Sequence, residues 1–276
     1  MSGVVRREAR GSVGAIVRRD LTVVGRSKAV VLPIVLLPLI LFLGLPLIVA
    51  GGLLLGGDQL GELEQLLTML PESIRQQLGE GSLRQVLTVY LLEYQFAAFF
   101  LIVPLMVSAV IAADSFAGEK ERKTLEALLY TPTTDLELYV AKLLGPWLAA
   151  LAVVAGSYVM YALTANVAAG GLVGRLLVVT PLWLLIVFWL SPAVAALGLG
   201  VLVQVSARVR GFQEAYQLGG LVVIPVVILI IAQLAGVVFL DAAFALFLGA
   251  MVWAAAAATI WFGYRAFRRE RLLLST

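Results

Sequence analysis

Residues 29–50 read AVVLPIVLLPLILFLGLPLIVA, a run with no charged, amide or hydroxyl side chain. A helix of this length rises about 33 Å, close to the ~30 Å hydrocarbon thickness of a bilayer. Pro33, Pro38, Gly44 and Pro46 interrupt it, so the sequence predicts a kinked spanning helix whose freed backbone groups find other partners. The run is too long, and starts too far into the chain, to be expected as the apolar region of a signal peptide.

Five further apolar runs cover residues 93–113, 143–168, 176–205, 218–240 and 242–267. Composition agrees with this pattern. Of the residues, 62% are hydrophobic and only 13% are charged, and the mean hydropathy is +1.02. A soluble domain cannot bury so much apolar surface. The expected fold is therefore all-α, with six transmembrane helices in one membrane domain over 1–276. Segment 1–28 precedes the first span, 51–92 links spans one and two on one side, and 114–142 links spans two and three on the other.

Lys and Arg placement orients these spans, because cytoplasmic flanks carry the excess. Seven basic residues, from Arg6 to Lys28, precede span one, and Lys120, Arg122, Lys123 and Lys142 lie between spans two and three. Arg208 and Arg210 follow span four, and Arg265, Arg268, Arg269 and Arg271 close the chain, leaving only Arg75, Arg84 and Arg175 for the opposite side. Both termini are thus expected in the cytoplasm of a multi-pass plasma-membrane protein. The net charge of +3 flanks apolar runs instead of forming a patch on a soluble domain, so no nucleic-acid partner is expected. With neither Cys nor His, disulfides, the usual zinc ligand sets and imidazole acid–base chemistry are excluded.

Two amphipathic stretches lie outside the spans. Val13, Ile16, Val17, Leu21 and Val24 recur at helical spacing, with Arg10, Arg18 and Arg19 elsewhere on the wheel, which describes a helix lying in the inner interface, either as a surface anchor or as a contact for a partner. In 51–92, Leu60, Leu63, Leu66, Leu67 and Leu70 precede Pro71, and Ser82 with Gln85 has capping-box spacing. Short helices at the extracytoplasmic mouth are expected there.

The loop 114–142 begins DSFAGEKERKTLE. Glu119/Lys123 and Arg122/Glu126 are opposite-charge pairs at i, i+4, and Leu125, Leu128 and Leu129 form one apolar face. Pro132 disfavours helical geometry at Thr131, and Thr134 with Glu137 has the spacing of a second capping box. The pattern describes a charged helical knob just below the membrane, suited to a groove on a soluble partner, where charges set register and leucines are buried. A loop that only met the positive-inside rule would not need five consecutive charges of both signs.

Residues 113–129, ADSFAGEKERKTLEALL, followed by Thr131–Pro132 and Lys142, resemble the segment after the second span in permeases of ABC-2 type exporters, and within them a sodium-exporter-permease-like branch. The resemblance implies a coupling helix over 119–129 that inserts into a separate ATP-binding subunit, with Glu119, Glu121, Arg122, Thr124, Leu125, Leu128 and Leu129 as its coupling residues. It also implies an exporter of two membrane subunits, the second being the same chain or a relative, and two ATPase subunits. The chain contains no GxxxxGK[ST] run, so ATP and Mg²⁺ are expected in the partner and no catalytic, metal or cofactor residue is expected here. A secondary carrier and a membrane scaffold without an ATPase are the alternatives. All Asp and Glu residues read as loop or span-edge positions and no Lys reads as intramembrane, which disfavours a proton relay or a Ser–Lys site. Ser157, Tyr161 and Thr164 share a face of span three and either line a transport path or bond helices together.

Overall fold

The structure is a computed structural model. It describes residues 28–55, 81–122, 134–206, 208, 209 and 211–266, together with residues 14, 17, 18, 22 and 25. Six helices among these residues are long and apolar enough to cross a membrane: α1 (Val30–Leu53), α2 (Leu83–Glu121), α3 (Asp135–Val173), α4 (Pro181–Ser206), α5 (Phe212–Leu234) and α6 (Ala242–Arg265). No strand occurs among the described residues. The expected amphipathic stretch over Val13–Val24 and the outer helices over 59–80 lie almost wholly outside them.

Burial divides the bundle into a centre and a rim. In α2 and α4, 83% and 72% of the most apolar window is buried, against 17% in both α1 and α6. The two central helices pack on each other, α3 packs on both, α6 packs on α4, and α1 and α5 flank α2. Leu32, Val35, Leu36 and Ile48 of α1 and Phe247 and Met251 of α6 point outward. Outward apolar faces of this extent are stable only against lipid or another apolar chain. Between the helices lies an aromatic cluster drawn from four of them. Tyr161 of α3 stacks on Phe96 of α2 with ring centres 5.4 Å apart, and lies 5.6 Å from Phe42 of α1 and 5.0 Å from Trp183 of α4.

The helices α2 and α3 each run for 39 residues, or about 58 Å, nearly twice the hydrocarbon thickness. The sequence places the end of span two at Ala113, but the helix continues through the charged run to Glu121. Likewise α3 starts at Asp135, not at 143, because Thr134 caps it. The Thr134 hydroxyl accepts from the Glu137 N–H at 3.2 Å, and the Glu137 carboxylate accepts from the Thr134 N–H at 2.9 Å. The Ser82–Gln85 box caps α2 in the same way. Apolarity alone marks where hydrocarbon ends; α3 reaches back from there to its Thr134 cap, and α2 continues through charges that find partners in the fold.

Several helices contain wide π-type turns, which insert one residue and free carbonyls from the ladder. They occur at Ile40–Gly44 in α1, Tyr90–Gln95 and Asp114–Gly118 in α2, and Ile186–Leu190 in α4. In α1 the wide turn falls between Pro38 and Pro46, and Pro33 and Pro38 lie inside the helical stretch before it. The missing proline donors are thus absorbed without ending the span.

Close helix contact separates two motifs that look alike in sequence. A Cβ on Gly200 would come within 2.3 Å of the Thr259 hydroxyl and 3.1 Å of the Ile260 backbone nitrogen, so α4 and α6 approach through that glycine. Gly156 has open space around it. Of Ala196/Gly200 and Ala152/Gly156, only the first pair sits at a tight contact.

Candidate functional site

The wide turn Asp114–Gly118 is buried throughout and leads straight into four charged residues. Each of the four finds a partner in a different place. Glu119, nearly buried, meets the fully buried Lys142 of α3 at 2.5 Å, and the Lys142 ammonium also donates to the Ser115 carbonyl at 3.2 Å. Lys120 donates to the Val209 carbonyl, between α4 and α5, at 3.4 Å. Glu121 accepts from the Phe212 N–H, the first of α5, at 2.9 Å. Arg122 folds back two turns to Asp114, donating to its carboxylate at 3.0 Å and to its carbonyl at 3.4 Å.

Local chemistry explains each bond. The Lys142 and Arg122 bonds to the Ser115 and Asp114 carbonyls use acceptors at the start of the wide turn. Gly118 leaves a path for the Arg122 side chain, since a Cβ there would lie 2.9 Å from the Asp114 carboxylate and 3.2 Å from the guanidinium. Gly211 precedes α5 with no side chain to cap it, and the Glu121 carboxylate from α2 takes that role across the fold. Buried carboxylates and an ammonium are tolerated because they are paired and hydrogen-bonded.

Glu119, Glu121 and Arg122 are therefore brought together at one end of the bundle, with Asp114 and Lys142. Thr124, Leu125, Leu128 and Leu129 lie outside the described residues, as do Lys123 and Glu126 of the expected i, i+4 pairs. Among the described residues Glu119 pairs with Lys142, and Arg122 with Asp114. Glu93, Asp114 and Glu119, read from the sequence as loop or span-edge carboxylates, are helical and buried within the long α2. Lys142, just before the apolar run 143–168, lies inside α3 with no exposed surface. It bonds a serine backbone carbonyl and a carboxylate.

At the opposite end of the bundle the turn Tyr90–Gln95 gathers helices in a comparable way. Trp183 of α4 donates to the Glu93 carbonyl at 2.9 Å, Gln233 of α5 donates to the Tyr94 carbonyl at 2.9 Å, and Tyr161 of α3 donates to the Leu92 carbonyl. Three successive carbonyls of one turn thus serve donors from three helices. Glu93 itself is buried and pairs with Arg175 at 2.6 Å. The other two candidates on the Tyr161 face bond within their own helix, Ser157 to the Val153 carbonyl at 2.7 Å and Thr164 to the Met160 carbonyl at 2.9 Å. Gln204, isolated in sequence, joins α4 to α6 through the Thr259 carbonyl at 3.1 Å.

Sequence reasoning missed Asp114, Lys142, Trp183 and Gln233 as members of these two nodes. A single polar group inside an apolar run is the signal that could have marked them, since lipid offers no partner. The partner itself is not encoded in spacing. Among the described residues no group of three or more His, Cys, Asp or Glu side chains could hold a metal ion.

Neither a comparison with curated proteins nor one with solved structures gives a match. A sequence model described as ABC-2 family transporter protein matches residues 14–248, which takes in α1 to α5 and the start of α6. Six membrane-capable helices, a long second helix ending in a bonded run of charges, and a match over most of its length together establish that this chain belongs to the ABC-2 transporter family.

Proposed function

We propose that this chain is the membrane subunit of an ABC exporter, coupled to ATP hydrolysis in a separate nucleotide-binding subunit. The supporting observation is that four consecutive charged residues, Glu119 to Arg122, bond to α3, to the segment before α5, to α5 itself and to α2. A segment anchored to so many elements can pass a push on residues 123–129 to the whole bundle. In this reading Glu119, Glu121 and Arg122 hold the coupling segment, and Thr124, Leu125, Leu128 and Leu129 dock into the ATPase. ATP and Mg²⁺ belong to that partner, and the chain itself carries out no covalent chemistry.

The end of the bundle with Glu119 and Lys142 is then cytoplasmic, together with both termini, in the plasma membrane. A second permease subunit, of the same chain or a relative, completes the exporter. Placement in the sodium-exporter-permease-like branch rests on the resemblance over 113–129 and describes descent, not cargo. The polar groups of the spans are mostly taken up in helix-to-helix bonds, which favours an apolar or amphipathic cargo over a hydrated ion. Ser157, Tyr161 and Thr164 are the path residues of this reading.

The test is purification of the chain from its native membrane into nanodiscs, with and without replacement of residues 123–129 by a Gly/Ser linker that leaves Glu119 to Arg122 in place. The intact chain should retain an ATPase subunit and the replaced chain should lose it. An intact chain without any ATPase, or a replaced chain that keeps it, would overturn the coupling reading.

A further inference from the structure

The helix α5 is tied to α2 at both of its ends. At one end Glu121 accepts from the Phe212 N–H at 2.9 Å, and Lys120 reaches the Val209 carbonyl just before it. At the other, Gln233 donates to the Tyr94 carbonyl at 2.9 Å, the Tyr90 hydroxyl donates to the Gln233 carbonyl at 3.3 Å, and the Tyr94 and Phe239 rings stack with centres 4.7 Å apart. Between these ties the helix is not continuous α: Phe212–Gly219 and Ile224–Leu234 are joined by a tighter 3₁₀ turn over Gly220–Val223. Such a turn in mid-helix, beside two glycines, is a place where a helix bends. The outer face, with Leu221, Ile224, Ile228 and Ile231, is apolar and exposed, so α5 can shift against lipid without breaking polar contacts there.

The Gln233 tie is also incompletely satisfied. The Gln233 side-chain oxygen and the Gln95 side-chain nitrogen are buried without a partner, and the Tyr90 hydroxyl touches the Gln95 oxygen at 3.5 Å. A buried acceptor and a buried donor left unmade on two residues that share the Tyr90 hydroxyl raise the energy of this arrangement. Rearrangement of α5 that pairs them, or lets water reach them, recovers that energy.

We infer that α5 is the transmission element between the coupling segment and the opposite face, with Glu121 and Gln233 as its positioning residues. Glu121 moves the start of α5 when residues 123–129 are displaced, and the Gln233 tie on the Tyr90–Gln95 turn is the contact that gives way. This inference rests on the coupling reading above.

The chain has no cysteine, so Tyr94→Cys and Phe239→Cys can be introduced as a clean reporter pair, with Gln204→Cys and Thr259→Cys across α4 and α6 as a control. The chain with its co-purified ATPase, in nanodiscs, is treated with a short bifunctional thiol reagent, without nucleotide and after trapping with ATP and vanadate. Trapping should slow cross-linking at 94/239 by about tenfold and leave 204/259 unchanged. Glu121→Ala should abolish that response while keeping the ATPase bound, and Glu121→Gln, which retains the acceptor, should preserve it. An unchanged 94/239 rate in a complex that has trapped vanadate, or a normal response in Glu121→Ala, would overturn the role of α5. Absence of any ATPase to trap nucleotide would instead overturn the coupling reading on which it rests.

Discussion

Glu119 and Lys142, twenty-three positions apart in sequence, form an ion pair of 2.5 Å in which the lysine has no solvent exposure. This single contact joins the end of α2 to the first turns of α3, on either side of the segment that the ABC-2 resemblance marks for coupling. An isolated buried charge costs far more than a buried pair. Glu119→Gln or Lys142→Met alone should therefore lower stability by about 3–5 kcal/mol, and the double replacement should recover most of the loss. Thermal unfolding in detergent reads this directly. Single variants that unfold like the parent would show that the pair is dispensable.

Gly200 and Gly156 should respond oppositely to one added methyl. Gly200→Ala drives a Cβ into Thr259 and the Ile260 backbone and should cost about 1–3 kcal/mol through overpacking. Gly156→Ala meets nothing within 4 Å and should be neutral or slightly stabilising, since Ala is the better helix former by about 1 kcal/mol. Equal effects at the two sites would contradict the close approach of α4 and α6 at Gly200.

Asn166 clamps the connection from α3 to α4, accepting from the Leu177 N–H at 2.8 Å and donating to its carbonyl at 2.9 Å. The same loop holds Val178 at φ 69, a region that branched side chains avoid, with the Tyr158 hydroxyl bonded to its carbonyl at 3.0 Å. Asn166→Ala should cost about 2–3 kcal/mol, because it leaves a backbone donor and a backbone acceptor unmet. It should also raise protease cleavage or hydrogen exchange between residues 174 and 180. Unchanged protection of that loop would show that the clamp is not what holds it.

Tyr161→Phe separates two roles for that residue. As a strut on the Leu92 carbonyl, the hydroxyl contributes about 1–2 kcal/mol of stability, and its loss lowers the unfolding temperature. As a path residue of the proposed permease, its removal changes the stimulation, by an added amphipathic compound, of ATP hydrolysis in the chain co-purified with an ATPase, without that stability loss. A variant with full stability and altered stimulation would assign Tyr161 to the path; a destabilised one with normal stimulation would assign it to the turn.

Much of the architecture was legible in residue order. Runs such as 29–50 cannot lie in water, their number gives six crossings, and Thr134 with Glu137 and Ser82 with Gln85 announced caps that the structure contains. These are local properties: apolar length, charge placement and a three-residue capping spacing depend only on near neighbours in the chain. The acidic–basic run at 119–122 was likewise visible as a special segment. Its partners on other helices were not, because the periodicity of one helix speaks only of neighbours such as Lys123 and Glu126, which lie outside the described residues, whereas the Lys142 ammonium reaches Glu119 from the next helix.

The wide turns belonged to the tertiary structure alone. Nothing in YLLEYQ or DSFAG separates them from ordinary helix, and they persist because Tyr161, Trp183, Gln233, Lys142 and Arg122 bond carbonyls there. Sequence by itself determined that the chain crosses a membrane and where its charges gather, since hydrocarbon imposes the same demand on every segment independently. Which helix lies at the centre, how far α2 and α3 extend beyond their apolar runs, and which donor meets which carbonyl were decided by packing, where each polar group must find its partner on another helix.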